Sequence, residues 1–170
     1  MSRAVEVFGY NGSQLRFTLT NKEIVGFAKL RLEEVEREND KIVAELDKFD
    51  VSLDRLLAAA RALLQTRYSV NVLPSLNVEA SRAMRNALML VRLNEQAQLW
   101  ETMIGHLKRP DHERRDQALT YAEMRALMDP LDLTEDQREI ENIVPSTPTA
   151  VPYSTSASLS DTLNILAPKS

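Results

Sequence analysis

The chain contains no cysteine. A disulfide scaffold and any zinc or iron–sulfur site built on thiolates are therefore excluded. The compartment stays open, because a cysteine-free chain tolerates any redox poise. Glycine is scarce, at Gly9, Gly12, Gly26 and Gly105 alone, so no glycine-rich phosphate cradle exists and no G-x-x-x-x-G-K-[ST] loop occurs. Histidine appears only as His106 and His112. Neither H-E-x-x-H nor a related spacing surrounds them, and they read as solvent-facing residues near a helix end. Aromatic residues make up 5% of the chain, with Trp100 the single tryptophan. That suits aliphatic helix packing better than a β-sandwich. No apolar run approaches the roughly 18 residues of a membrane span. The opening Met1-Ser2-Arg3-Ala4-Val5-Glu6 lacks the apolar stretch of a secretory signal, so a cytoplasmic origin is the expectation. With 21 basic and 25 acidic residues the net charge is −4, which gives no global steering toward nucleic acid or an anionic membrane.

What the chain does have is pattern. Val5 and Val7 alternate with Glu6 and Phe8, and Leu15, Phe17 and Leu19 alternate with Arg16 and Thr18. Between the two runs lies Asn11-Gly12, a dipeptide that takes the positive φ angles of a tight turn. A β-hairpin over residues 1–20 is predicted, packed near Ile24, Phe27 and Leu30. Thr20-x-x-Glu23 then reads as a capping box. From there a heptad seam runs Val25, Ala28, Leu32, Val35, Asn39, Ile42, Leu46 and Phe49. It extends through Leu53, Leu56, Ala60, Leu63, Arg67 and Val70. A break at Asp50-Val51-Ser52, where Asp50 or Ser52 would cap a second helix, is expected over one continuous helix across 22–70. Pro74 ends this region. A third helix, from about 78 to 107, carries Ala83, Asn86, Leu90, Leu93, Ala97, Trp100, Ile104 and Leu107, widened by Met84, Leu88, Val91 and Met103. Such breadth predicts a central helix. Two shorter helices are expected near 112–128 and after Thr134-x-x-Gln137, a further capping box.

Asn39 interrupts the seam of the first helix and Asn86 that of the third. A polar residue on a seam weakens packing but fixes register or partner. The flanking charges do not suit a parallel homodimer, since Glu45 would face Asp50. An antiparallel, intramolecular partner is expected, with Asn39 and Asn86 meeting. Arg82, Arg85 and Arg92 share one side of the third helix and are candidate contacts for nucleic acid or an acidic partner. The plainer reading is that they complement the first helix, which carries nine acidic and six basic residues over 22–50. The acidic run Glu33, Glu34, Glu36, Glu38 and Asp40 is interspersed with Arg31, Arg37 and Lys41 and lacks calcium-loop spacing. It reads as a solvated helix face.

The last segment differs from all of this. Of the 27 residues in 144–170, 14 are Pro, Ser or Thr, and only Asp161 and Lys169 are charged. No base accompanies the hydroxyls, so none is marked as a nucleophile. Leu159, Leu163, Ile165 and Leu166 form an apolar cluster suited to anchoring on a partner. Such a strip builds no core of its own, and extended it would reach about 90 Å.

The segment Val7-Phe8-Gly9-Tyr10-Asn11-Gly12-x-x-Leu15-Arg16 resembles the start of the BRO-N domains of viral antirepressor-type regulators. The aromatic and glycine-rich positions that follow in that family are absent here, and the chain is not assigned to it. The sequence thus predicts a mainly α chain: an N-terminal hairpin (1–20), an antiparallel helical body (21–143) with long coiled-coil-like helices, and an extended Pro/Ser/Thr-rich arm (144–170). No catalytic residue, cofactor or metal is expected. The function expected is that of a non-enzymatic subunit of a large assembly, such as a head-to-tail connector or minor capsid protein of a phage virion, by architectural analogy. Its partners would be other protein subunits, in a homo-oligomeric ring assembled in the host cytoplasm, with nucleic acid not favoured and no membrane. The rival expectations are an antirepressor-like regulator, for which the basic face meets DNA or a repressor, and an assembly chaperone.

Overall fold

A computed structural model describes residues 2–8, 14–66, 78–109 and 121–145. The chain is mainly helical. Among the described residues two strands, β1 (Ser2–Phe8) and β2 (Gln14–Thr20), precede five helices: α1 (Asn21–Leu46), α2 (Leu53–Thr66), α3 (Val78–Lys108), α4 (Tyr121–Met128) and α5 (Thr134–Ile143). They divide between two compact units. The first comprises residues 1–37 and 95–132, the second residues 38–94 and 133–170.

In the first unit β1 and β2 pair antiparallel, with Val5 opposite Phe17 and Val7 opposite Leu15. The predicted turn at Asn11-Gly12 lies outside the described residues. β1 lies against α4, a neighbour the sequence did not announce. Of the three residues expected to receive the hairpin, Ile24 is fully buried, Phe27 is half-buried and Leu30 remains 49% exposed. Leu30 lies six residues from Ile24 and about 240° away around the axis, so the two occupy different faces of α1.

The strand-to-helix transition is made by the predicted capping box. The Thr20 N–H donates to Glu23 Oε2 at 2.7 Å, and the Glu23 N–H donates to Thr20 Oγ1 at 3.2 Å. The hydroxyl of Thr20 also donates to the same carboxylate at 2.9 Å. These bonds satisfy amides that the first helical turn would leave orphaned. They also hold the Glu23 carboxyl below the usual carboxylate range, with the backbone bond the larger cause. The second capping box does not form. α5 begins with Leu133 at the cap position and no side-chain bond there. Its first turn carries Glu135 and Asp136 instead, and their charge complements the positive end of the helix dipole.

In the second unit the α1 seam ends in a turn. Lys48 and Phe49 donate to carbonyls three residues back, at 3.4 and 3.0 Å, tightening the last turn. The Ser52 carbonyl accepts the first bond of α2, from Leu56 at 3.1 Å. The break therefore spans residues 47–52, and two helices replace the single one that 22–70 allowed. Leu56, Ala59, Ala60 and Leu63 of α2 are buried. So are Ala80, Ala83, Met84, Ala87, Leu88, Leu90, Val91 and Leu93 of α3. Over this stretch α3 buries most of its circumference, as its broad apolar stripe predicts.

Two expected outcomes follow from these elements. Gly26 in α1 and Gly105 in α3 are exposed, and a Cβ added at either would meet no atom within 4 Å. Gly26→Ala and Gly105→Ala should each stabilise the chain by about 0.5–1 kcal/mol, read as a higher urea midpoint at unchanged slope. Glu23 has a folded-state pKa below its unfolded value. Its stabilising contribution is thus present above the unfolded value and lost as pH falls through the folded one. The stability difference between the native chain and Glu23→Gln should shrink on acidification through the carboxylate range. A difference that is constant with pH would remove the charge from the cap's role.

Candidate functional site

Among the described residues the candidates are polar contacts that join elements. Among the described residues no group of three or more His, Cys, Asp or Glu could hold a metal ion. No helix there is long and apolar enough to cross a membrane. His106 is half-buried in the last turn of α3, and His112 lies outside the described residues.

The three arginines of α3 all find acceptors within the second unit. Arg82 Nη2 donates to Glu45 Oε2 of α1 at 2.9 Å. Arg92 Nη2 donates to Glu139 Oε1 of α5 at 2.6 Å. Arg85 Nη1 donates to the Pro145 carbonyl, just beyond α5, at 3.0 Å. Glu45 also pairs with Lys48 at 2.7 Å. The Lys48 hydrogen bond and charge, with Arg82 adding to them, hold the Glu45 carboxyl below its ordinary range. These three contacts join α1, α5 and the segment after α5 to α3.

Asn39 does not meet Asn86. Its Nδ2 donates to Asn94 Oδ1 at 3.0 Å. Asn94 lies two helical turns beyond Asn86, about 12 Å along α3. Asn86, the expected partner, is the polar interruption of the α3 stripe. Asn94 lies off that stripe, where spacing alone gave no signal. The pairing leaves Asn39 Oδ1 buried without a hydrogen-bond partner.

The first unit holds a contact that the sequence concealed. Arg31, expected on a solvated face, is 8% exposed. Its Nη1 donates to Glu34 Oε2 at 2.8 Å and to the Asp129 carbonyl at 2.7 Å. The Leu131 N–H donates to the same Glu34 oxygen at 2.9 Å. Arg31 and Glu34 thus grip one carbonyl and one amide on either side of Pro130. Asp129 directly follows α4, so the guanidinium also supplies positive charge at the C-terminal end of that helix. The remaining charges match the expectation better: Glu33, Glu36, Arg37 and Asp40 are exposed, and Lys41 pairs with Glu38 at 2.5 Å.

Leu159, Leu163, Ile165 and Leu166 lie outside the described residues. The start of their segment does not. Val144, placed in the arm by composition, is 3% exposed and packs with the body, as does Ile140 one turn earlier. The body therefore continues through Pro145, because a buried valine and a bonded carbonyl belong to the structure that holds them. No family model, no curated protein and no solved structure matches the chain.

The Asn39–Asn94 pair yields an asymmetric prediction. Replacing one partner strands the other, whereas replacing both by apolar residues removes the unsatisfied group as well. Asn39→Leu alone and Asn94→Leu alone should each destabilise by about 1 kcal/mol or more, while the double variant should be near neutral or stabilising. A denaturant double-mutant cycle measures this, and additive single effects would exclude coupling.

Proposed function

We propose that the chain is a non-enzymatic structural subunit of a large assembly. Its concrete form on this reading is a phage head-to-tail connector or minor capsid protein, whose residues 146–170 bind neighbouring subunits. The observation that carries the reading is the joint between body and strip. A helical body ends in a buried Val144 and a bonded Pro145. The sequence then continues into 25 residues with an apolar cluster and almost no charge. On the same reading α1 and α3 form an antiparallel pair in the second unit. Asn39 bonds Asn94 and Glu45 bonds Arg82, so rising numbers on α1 meet falling numbers on α3. The regulatory alternative loses support, because the guanidinium groups it would use are engaged within the chain.

Truncation after Pro145 tests the proposal. The shortened chain should keep its helical circular-dichroism signal and its solubility. It should fail to form the homo-oligomer that this reading expects of the full chain, as read by light scattering. Serine at Leu159, Leu163, Ile165 and Leu166 together should reproduce that loss. Unfolding of the truncated body would place the strip in the monomer's own core and overturn the reading, as would unchanged oligomer formation.

A further inference from the structure

We propose that Arg85 is a positioning residue that fixes where and in which direction residues 146–170 leave the body. The inference rests on the arm reading above but concerns a different property, the geometry of the root. Three observations converge on it. α5 ends because Pro145 disfavours helical conformation in the residue before it. Val144 accordingly has extended backbone, with φ −132° and ψ 91°, while its N–H still donates to the Ile140 carbonyl at 2.8 Å. The Val144 side chain is buried, so the bend cannot swing freely about its own residue. The Arg85 guanidinium then takes the next carbonyl, that of Pro145. Proline fixes φ at this position, which leaves ψ of Pro145 as the free rotation, and ψ is the angle that the carbonyl bond restrains.

Arg82 provides the contrast. It lies on the same helix and also makes one hydrogen-bonded contact across to another element, but to the α1 carboxylate of Glu45. Losing it removes a comparable charge without touching the root. A restrained root would confine the following segment to a narrower cone and raise its effective concentration at a neighbour's surface.

The test uses the full chain, whose lack of cysteine makes paired spin labels unambiguous. Labels go on Ala58→Cys, at an exposed position of α2, and on Ser146→Cys, the first residue past the root. Arg85→Met keeps most of the aliphatic stem and deletes the donors. The lock predicts that Arg85→Met loses the narrow component of the label-to-label distance distribution, whereas Arg82→Ala retains it, both with native helical signal. An unchanged distribution in Arg85→Met overturns the proposal, as does equal broadening in both variants. Loss of helical signal in Arg85→Met would assign the residue to the body's own stability and overturn it too. The labelled chain is diluted into excess unlabelled chain, so the distances are those within one chain whether or not it assembles, and failure of the truncation test would leave this result standing, and the reverse.

Discussion

Burial of α3 between residues 80 and 93 is the constraint on which the second unit is built. Ala80, Ala83, Met84, Ala87, Leu88 and Leu93 are wholly sequestered, and Met89, Leu90 and Val91 nearly so. A helix buried on this many sides needs neighbours on each of them. With aromatic residues nearly absent, the cover must come from aliphatic helix faces such as Leu56, Ala59, Ala60 and Leu63 of α2. Alanine at so many sequestered positions keeps the α3 surface low. Each fully buried leucine or methionine contributes about 1.5–3 kcal/mol, more than an exposed ion pair does.

The same constraint decides what the polar residues of α3 do. Few positions on such a helix reach its margins, and Arg82, Arg85 and Arg92 occupy three of them. A guanidinium can lay its stem over apolar surface and still present its planar donor fork at the edge. There it meets whatever acceptor the covering element supplies. That acceptor is a carboxylate for α1 and α5, and a bare carbonyl where the chain leaves α5. Exposed ion pairs contribute at most about 1 kcal/mol. Their value here is orientation: burial brings the elements onto α3, and the arginines select how they lie.

Much of this was legible from periodicity. None of the heptad positions of α1 and α2, from Val25 to Leu63, is exposed, because a seam is a statement about one element. The capping box at Thr20 was legible for the same reason. Contacts between elements were not. The Asn39 partner depends on the offset of one helix against another, and the pattern of α3 is broad enough to permit several. Arg31 read as one charge in a solvated run, since nothing in its neighbours reveals that the Asp129 carbonyl and the Leu131 amide will lie across from it. Pro145 read as the composition of a strip, while its carbonyl is the last fixed group of the body. Composition marks where a core stops being possible, and packing marks where it stops being used.

The energetics of the strip explain why a fixed root matters for the proposed arm. Ordering a residue's backbone costs about 1–2 kcal/mol. Burying Leu159, Leu163, Ile165 and Leu166 would contribute roughly 1.5–3 kcal/mol each. The cluster can thus offset the ordering of the few residues around it but not of the full strip. The remainder must come from backbone hydrogen bonds to a partner, for which strand addition is the efficient form, or from a smaller entropy to lose. Pro148, Pro152 and Pro168 lower that entropy within the strip by restricting its unbound states. A root held by Arg85 and Val144 lowers it at the point of attachment, where one free torsion would otherwise sweep the apolar cluster through the largest volume. An arm anchored weakly at its far end therefore gains most from a joint that is rigid at its near end.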